Sequence, residues 1–281
     1  MKVDFAVLIG MLSTMKATRD MVKPQKGERI AKRLARAGLC SRREAERRIA
    51  DGRVRVDGKI LDTPAVLVDD KSCIVVDDKP LAKSEPTRLW RFHKSKGLLT
   101  TNQDPEGRET VFQKLPADLP RVIAVGRLDL NTEGLLLLTN DGDLARHLEL
   151  PSTGWRRRYR LRVHGAVDEA ALTRLANGTK IEGIVYGAIE ARLDSRKGRN
   201  AWLSLSLREG KNREVRQVME NMGLQVTRLI RLSYGPFQLG DLSKGAVSAV
   251  PRRVLADQLG KQAATFGLSR TEGDARKTRR K

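Results

Sequence analysis

The apolar positions between residues 28 and 60 change from a helical spacing to a strand spacing. Three of them stand at i, i+4 and i+7 and predict the buried face of a first helix that Gly38 ends: Ile30, Leu34 and Ala37. Ser41 followed by Glu44 is a capping box and predicts the start of a second helix. Alternating valines before a tight-turn dipeptide then predict a β-hairpin: Val54, Val56 and Asp57-Gly58. This segment is expected to form a small unit of two helices and a hairpin.

From residue 89 onwards the pattern predicts a larger domain that mixes strands and helices. The run from Leu135 to Leu138 is apolar throughout, which is typical of a strand buried on both faces. Two further strands are predicted by alternation of apolar and polar residues: Tyr159, Leu161, Val163 and Leu203, Leu205, Leu207. Shorter strands are expected at 89–92, 122–125, 226–232 and 237–239. The fold class predicted for the whole chain is α+β, with a mostly antiparallel sheet in this domain.

Two helices of the larger domain have recognisable starts. Asn140-Asp141-Gly142 is expected to turn the chain into one of them. Asn212 is the predicted N-cap of the other, whose apolar stripe ends at Gly223: Val215, Val218, Met219 and Met222. Arg213 and Arg216 would then both lie in the first turn of this second helix.

The overall charge indicates a polyanionic partner. The 281 residues are 40% hydrophobic, enough for two domains with cores, and contain 55 Lys and Arg against 34 Asp and Glu, a net charge of +21. The excess is spread along the chain, which favours nucleic acid binding; a basic but otherwise ordinary solvated surface is the alternative.

Neither the cysteines nor the histidines are spaced like metal ligands. Cys40 and Cys73 form no CxxC pair, and the histidines are scattered: His93, His147 and His164. We therefore expect no disulfide framework, no metal and a reducing cytoplasmic location. The apolar run from Phe5 to Leu12 is too short to span a membrane, so no membrane partner is expected, and Met15 and Met21 are candidate alternative start residues.

Composition along the chain predicts its division into segments. The stretch KPLAKSEPTR contains two prolines and is expected to be a linker. The basic C-terminal residues lack an apolar pattern and are expected to add salt-sensitive affinity for RNA. The predicted boundaries are a disordered extension at 1–25, the small unit at 26–78, the linker at 79–88, the larger domain at 89–262 and a disordered basic tail at 263–281.

The small unit carries a dense set of positive charges. Residues 26–60 contain twelve Lys or Arg against five Asp or Glu, whereas a merely solvated helix usually mixes the signs more evenly. The residues expected to contact RNA phosphates are Arg29, Lys32, Arg33, Arg36, Arg42, Arg43 and Arg47. Through the sequences AGLCSRREA and GRVRVDG this unit resembles the S4-type RNA-binding domain, which also occurs in proteins without catalytic activity.

A charged loop lies between two predicted core strands of the larger domain, in the sequence GRLDLNTEGLLLLTNDG from Gly126 to Gly142. With Tyr159, KGLLTTNQDPEGRETVFQKLP and EGKNREVRQVMENMG, this segment is similar to the pseudouridine synthases that modify bacterial ribosomal RNA. The sequence LNTEGLLLLTNDGDLARHLELPS is more similar to the branch that acts on large-subunit (23S) rRNA than to the small-subunit branch. The resemblance implies a catalytic domain of that fold and 23S rRNA, or a large-subunit assembly intermediate, as partner of a monomeric enzyme.

The same resemblance implies roles for single residues. It makes Asp129 the catalytic aspartate, Tyr159 the tyrosine that stacks near uracil and moves a proton, and Arg216 the basic partner of the aspartate. The expected substrate-binding residues are Arg127, which helps to displace the target base, with Lys211 and Arg213. Glu214 departs from the family, in which many members have glutamine at this position.

The chemistry accounts for these residue types and for the absence of an expected cofactor. Pseudouridine forms when the ribose is detached from a uracil nitrogen and reattached to carbon five of the same ring, so one carboxylate suffices. Whether Asp129 attacks the ribose or the base, and which uridine reacts, stays open at this stage. Taken singly, Asp129 is also compatible with a turn cap, Arg216 with a helix-surface charge and Tyr159 with a strand aromatic.

Two other functions are compatible with parts of this sequence. A glycosidase that uses Glu133 is disfavoured, because no second carboxylate stands in a matching context. A non-catalytic ribosome-assembly factor would need only to bind RNA, and it would not need the set of Arg127, Asp129, Tyr159 and Arg216.

Overall fold

The computed structural model describes residues 27–268. The extension predicted at 1–25, and residues 269–281 of the predicted tail, lie outside the described residues. The chain divides into two units: the first ends at Leu81, and the second starts at Ala82 and also includes the short segment Arg36–Leu39. Between residues 27 and 268, none of the helices has the length and apolar character needed to cross a bilayer.

The first unit contains the two predicted helices around one apolar core. Ser41 caps the second helix as predicted, because its Oγ accepts a hydrogen bond from the backbone N–H of Glu44 at 3.1 Å. The elements are β1 (Glu28–Arg29), α1 (Ile30–Arg36), α2 (Arg42–Ala50), β2 (Val54–Val56), β3 (Lys59–Ile60), β4 (Leu67–Val68), β5 (Ile74–Val76) and β6 (Lys79–Pro80). The sheet has the order β3-β2-β5-β6, and β1 pairs separately with β4.

The hairpin of the first unit is confirmed, but the unit is larger than predicted. Asp57 and Gly58 connect β2 to β3 with φ angles of 51° and 80°, as a tight turn of this kind requires. Lys79–Pro80 pairs with β5, and Leu81 packs against the core of the unit. The prediction that the linker starts at residue 79 is therefore wrong: strand pairing continues through these residues despite the proline, which lies on an edge strand.

The second unit is built on a nine-stranded sheet with the order β13-β14-β10-β15-β9-β7-β17, with β16 beside β15 and β8 beside β9. The strands of this unit are β7 (Leu89–Lys94), β8 (Ile123–Val125), β9 (Thr132–Thr139), β10 (Arg157–His164), β11 (Thr179–Ile181), β12 (Ile184–Tyr186), β13 (Ile189–Lys197), β14 (Asn200–Leu207), β15 (Gln225–Tyr234), β16 (Phe237–Gln238) and β17 (Val247–Ala249). Strands β11 and β12 pair with each other in a separate two-stranded sheet. Its helices are α3 (Gly142–Glu149), α4 (Glu169–Arg174), α5 (Glu214–Asn221) and α6 (Arg252–Leu259).

The sheet confirms the predicted α+β class and its mostly antiparallel character. Strands β9 and β15 pair in parallel, and the other pairs of this sheet are antiparallel. All eight residues of β9 are buried, as its apolar run predicts. Residues of β10 alternate strictly between buried and exposed, which also follows the predicted pattern.

The C-terminal part of the described chain is ordered further than predicted. A 3₁₀ helix spans Gly260–Phe266, and Phe266 packs at 5.5 Å between ring centroids against His147. Ala263 and Leu268 are buried in the same core. The prediction of a disordered tail from residue 263 is therefore wrong for residues 263–268, because their three apolar side chains are buried against the domain.

Candidate active site

The loop that carries Asp129 connects β8 to β9 and is fixed by a buried lysine. Lys94 is fully buried at the end of β7, and its ammonium lies 2.9 Å from the carbonyl oxygen of Thr132. It also approaches the carbonyl oxygens of Asp129 at 3.1 Å and Leu130 at 3.3 Å. Because one cation binds several carbonyls of the loop, it holds the backbone at Asp129 and directly after it.

Burial also changes the acid strength of this lysine. Desolvation lowers the pKa of Lys94 to about 8, whereas the negative charges of Asp129 and Glu133 act in the opposite direction. The group therefore remains mainly protonated at neutral pH, which preserves its hydrogen bonds to the loop.

The loop ends where two strands approach unusually closely. Gly134 of β9 has a φ of +104° and lies opposite Arg231 of β15. A Cβ at this position would lie 2.3 Å from the carbonyl oxygen of Arg231, so only glycine fits. Glycine at position 134 thus allows the loop and β15 to be placed side by side.

Helix α5 supplies a buried arginine to the same loop. The side chain of Arg216 is 10% exposed, and its Nε lies 3.9 Å from Oδ2 of Asp129, whose own side chain is 34% exposed. The guanidinium also donates to the carbonyl oxygens of Asn131 at 3.0 Å and Val226 at 3.2 Å. Burial lowers the pKa of Arg216, and Asp129 opposes that change.

The start of α5 differs from the prediction. The N-cap is Arg213, which has a left-handed φ of 50° and makes no side-chain capping bond, so the prediction of Asn212 as the cap is wrong. Instead, the carboxylate of Glu214 accepts a hydrogen bond at 2.9 Å from the backbone N–H of Lys211. This contact closes the turn without an Asn212 cap.

A cavity of about 280 Å³ joins these elements. Its walls include every residue that the sequence predicted to be catalytic or substrate-binding in this domain: Arg127, Asp129, Tyr159, Lys211, Arg213 and Arg216. Tyr159 is 8% exposed on the inward face of β10, whereas Arg127, Lys211 and Arg213 are exposed. The cavity therefore contains a carboxylate and an aromatic ring, and long cationic side chains lie at its opening.

Three buried cavity residues with polar side chains were missed by sequence reasoning: Arg157, Arg231 and Tyr234. Arg157 is buried and donates to the hydroxyl of Tyr234 at 2.9 Å, and its guanidinium also lies 4.6 Å from the centroid of that ring. A signal for it exists, because Arg157 shares the inward face of β10 with Tyr159 by simple alternation.

Glu214 is a buried acid in the wall of this cavity. It is 3% exposed, and burial raises its pKa to about 7, with the negative charge of Glu209 acting in the same direction. Glu209 itself accepts a hydrogen bond from the backbone N–H of Gly187 at 2.6 Å. Protonated Glu214 would be close in shape and charge to glutamine.

The basic residues predicted for RNA binding in the first unit differ in their exposure to solvent. Four are exposed: Arg29, Arg42, Arg43 and Arg47. Lys32, Arg33 and Arg36 are half-buried. Arg33 forms ion pairs with Glu28 at 3.2 Å and Asp70 at 2.8 Å, so it contributes to the structure of the unit.

Comparison with known proteins agrees with the fold of both units. The family model for RNA pseudouridylate synthases matches residues 88–221, and that for the S4 domain matches residues 28–72. The chain belongs to the RNA pseudouridine synthase family.

Individual relatives extend the match over most of the chain. An uncharacterized RNA pseudouridine synthase of Rickettsia bellii (strain RML369-C) is 45% identical over 227 residues, 81% of this chain and 98% of the relative. The ribosomal large subunit pseudouridine synthase B of Pasteurella multocida (strain Pm70) is 44% identical over 238 residues, 80% of this chain and 69% of the relative. A crystal structure of a pseudouridylate synthase has a TM-score of 0.57 at 24% identity and covers 82% of this chain and 99% of its own, which supports the fold.

Proposed function

We propose that this protein converts a uridine of large-subunit ribosomal RNA into pseudouridine and that Asp129 provides the reacting carboxylate. The observation that carries the proposal is the position of Asp129 in the cavity, 3.9 Å from the buried Arg216 and on a loop fixed by Lys94. The choice of large-subunit RNA is supported by the 44% identity to the Pasteurella multocida enzyme of that name.

The reaction conserves all atoms of the nucleotide. The bond from the ribose C1′ to the uracil N1 breaks, and its electron pair stays with the uracil ring. The ring turns, its C5 forms a new bond to C1′, the proton of C5 leaves, and N1 receives a proton. The ionised carboxylate of Asp129 compensates the electron deficiency that arises during this exchange, and no external reactant is consumed.

The neighbouring residues have complementary tasks in this proposal. The guanidinium of Arg216 lies 3.9 Å from the carboxylate and orients it in the cavity. Tyr159 stacks on the uracil, and its hydroxyl passes on the proton that leaves C5. The exposed cations Arg127, Lys211 and Arg213 hold the nucleotide outside its stack, since a base within RNA must leave the helix to react.

The first unit supplies general affinity for RNA in this proposal. Its exposed arginines bind phosphates, which provides strength but little sequence information: Arg29, Arg42, Arg43 and Arg47. No cofactor is needed in this proposal, because the reaction requires neither a redox carrier nor an activated water. The protein is also proposed to act as a monomer.

Pseudouridine mapping in cells tests this function. Large-subunit rRNA is mapped from the parent strain, from a strain without the gene, and from strains complemented with the wild type, Asp129→Asn or Asp118→Asn. Asp118 is an exposed acid of the same domain and serves as the control. We expect a pseudouridine that disappears on deletion and returns with the wild type and D118N but not with D129N. Unchanged pseudouridines in the deletion strain would favour an assembly factor without catalytic activity.

A further inference from the structure

Arg231 is a buried cation in the wall of the catalytic cavity. It is 3% exposed, and its Nε donates to the carbonyl oxygen of Leu135 at 2.7 Å. Its guanidinium lies 5.1 Å from the centroid of the Tyr234 ring. Among the described residues, its Nη2 is buried without any hydrogen-bond partner. One end of this side chain is thus fixed by the protein and the other is left with an unused donor.

The second buried arginine of the cavity provides an internal comparison. Arg157 also lies against Tyr234, but both of its terminal nitrogens donate hydrogen bonds, Nη2 to the hydroxyl of Tyr234 and Nη1 to the carbonyl oxygen of Arg208. Its role within the fold is therefore complete without a ligand. An unused donor on a buried cation costs free energy, so Arg231 is better explained by a ligand that accepts a hydrogen bond.

The position of Arg231 identifies which part of the substrate it faces. Arg231 and Tyr159 are directly paired neighbours on β15 and β10, so their side chains stand on the same face of the sheet. Tyr159 is the residue proposed above to stack on the uracil. A base placed against Tyr159 brings its ring substituents towards the neighbouring guanidinium, whereas the phosphates lie nearer the exposed cations at the opening.

We propose that Arg231 is a further catalytic residue, whose unpaired guanidinium N–H donates a hydrogen bond to a carbonyl oxygen of the extruded uracil. This inference rests on the function proposed above. When the C1′–N1 bond breaks, the electron pair that stays with the ring spreads over its nitrogen and carbonyl oxygens. The hydrogen bond from a cation strengthens as this charge develops, so it stabilises the transition state more than the bound substrate.

The test separates chemistry from RNA binding. Large-subunit rRNA is transcribed in vitro with tritium on C5 of uracil, and release of tritium is followed in single turnover with enzyme in excess. The variants are Arg231→Gln, Arg231→Lys, which retains the charge but not the forked donor, and Arg228→Gln as a control. Arg228 lies on the same strand but binds Glu133, at 2.8 and 3.1 Å, and does not line the cavity.

The expected result is a slower reaction with intact binding. R231Q should reduce the single-turnover rate by about 10²-fold and R231K by at least about tenfold, since loss of one such donor typically costs this much in kcat. The dissociation constant for the RNA, measured by filter binding, should stay within about twofold, and R228Q should react like the wild type.

Thermal melting shows whether each variant is folded at the assay temperature, and R231K keeps the test valid if R231Q is not. A folded R231K whose rate is within about threefold of the wild type would overturn this role of Arg231, as would a loss of RNA affinity with an unchanged rate. Absence of tritium release by the wild type, both from the transcript and from a labelled large-subunit assembly intermediate, would instead overturn the proposed function, and with it the role of Arg231.

Discussion

The guanidinium of Arg216 connects helix α5 to the loop of Asp129: its Nε lies 3.9 Å from Oδ2 of Asp129, and its Nη2 donates to the carbonyl oxygen of Asn131 at 3.0 Å. One side chain therefore contacts both the proposed reacting carboxylate and the backbone that carries it. Because the guanidinium is planar and has several fixed donors, these contacts depend on arginine and not on positive charge alone.

Arg216→Lys should accordingly impair chemistry although it preserves the charge. A lysine ammonium cannot reach Asp129 and the carbonyl oxygens of Asn131 and Val226 in the same geometry, so Asp129 should be less well oriented. We expect the single-turnover rate to fall by about 10²-fold, with RNA affinity within about threefold of the wild type. A rate close to that of the wild type, measured with folded protein, would show that charge alone suffices.

Glu214→Gln should change the pH dependence of stability. The folded-state pKa of Glu214 is raised from its ordinary value of 4.5 to about 7, so the folded protein retains a proton that the unfolded chain releases. The stability from this proton is fully present below about pH 4.5 and is lost as the pH rises through about 7. We expect the free energy of unfolding of E214Q, relative to that of the wild type, to be about 1–3 kcal/mol higher at pH 8 than at pH 5. Urea unfolding at the two pH values measures this difference.

The control for this experiment is Glu220→Gln, on the same helix but with a side chain that is 57% exposed. It should shift stability about equally at both pH values. If E214Q and the wild type differ by the same free energy of unfolding at pH 5 and pH 8, Glu214 does not hold a proton in the folded state.

Gly134→Ala should destabilise the protein through a backbone collision. The added Cβ would lie 2.3 Å from the carbonyl oxygen of Arg231, in addition to the strain of φ +104°. We expect a loss of about 3 kcal/mol or more in the free energy of unfolding. Gly240→Ala is the matched control, because its φ is +56° with no atom within 4 Å of the new Cβ, and it should cost only about 1 kcal/mol. Equal losses in both variants would contradict the collision.

Neutralising exposed arginines of the first unit should weaken RNA binding without slowing chemistry. Arg42→Gln with Arg43→Gln removes two exposed charges of α2. The slope of log affinity against log salt concentration should become shallower by about 1–2, while the single-turnover rate at saturating enzyme stays unchanged. An unchanged salt slope in the double variant would exclude phosphate contacts by Arg42 and Arg43.

Arg33→Gln should instead lower the stability of the first unit, since Arg33 is paired with Glu28 and Asp70.

Much of the fold could be predicted because its patterns are local. The buried run at Leu135–Leu138 and the alternation along β10 require only the spacing of apolar residues. The capping box at Ser41 is equally local. The predicted boundaries of the folded units were wrong at residues 79–81 and 263–268. These boundaries depend on strand pairing and packing with residues distant in the chain.

The candidate site could be predicted only in part for the same reason. Asp129 and Arg216 stand in recognisable motifs, whereas Lys94 looks like an ordinary polar residue at a strand end. Its burial depends on carbonyl groups of the loop some 35 residues later, which no local pattern reveals. Arg231 was similarly hidden, since the lack of a hydrogen-bond partner for its buried Nη2 is a feature that only the folded structure shows.

The most direct test of the account compares the wild type with Asp129→Asn in purified form on the same large-subunit rRNA transcript. Asparagine keeps the shape of the side chain but removes the charge. We predict that D129N binds the RNA within about twofold of the wild-type affinity but forms no pseudouridine in single turnover. Formation of pseudouridine by D129N at a rate comparable to that of the wild type would contradict the assignment of Asp129 as the reacting carboxylate.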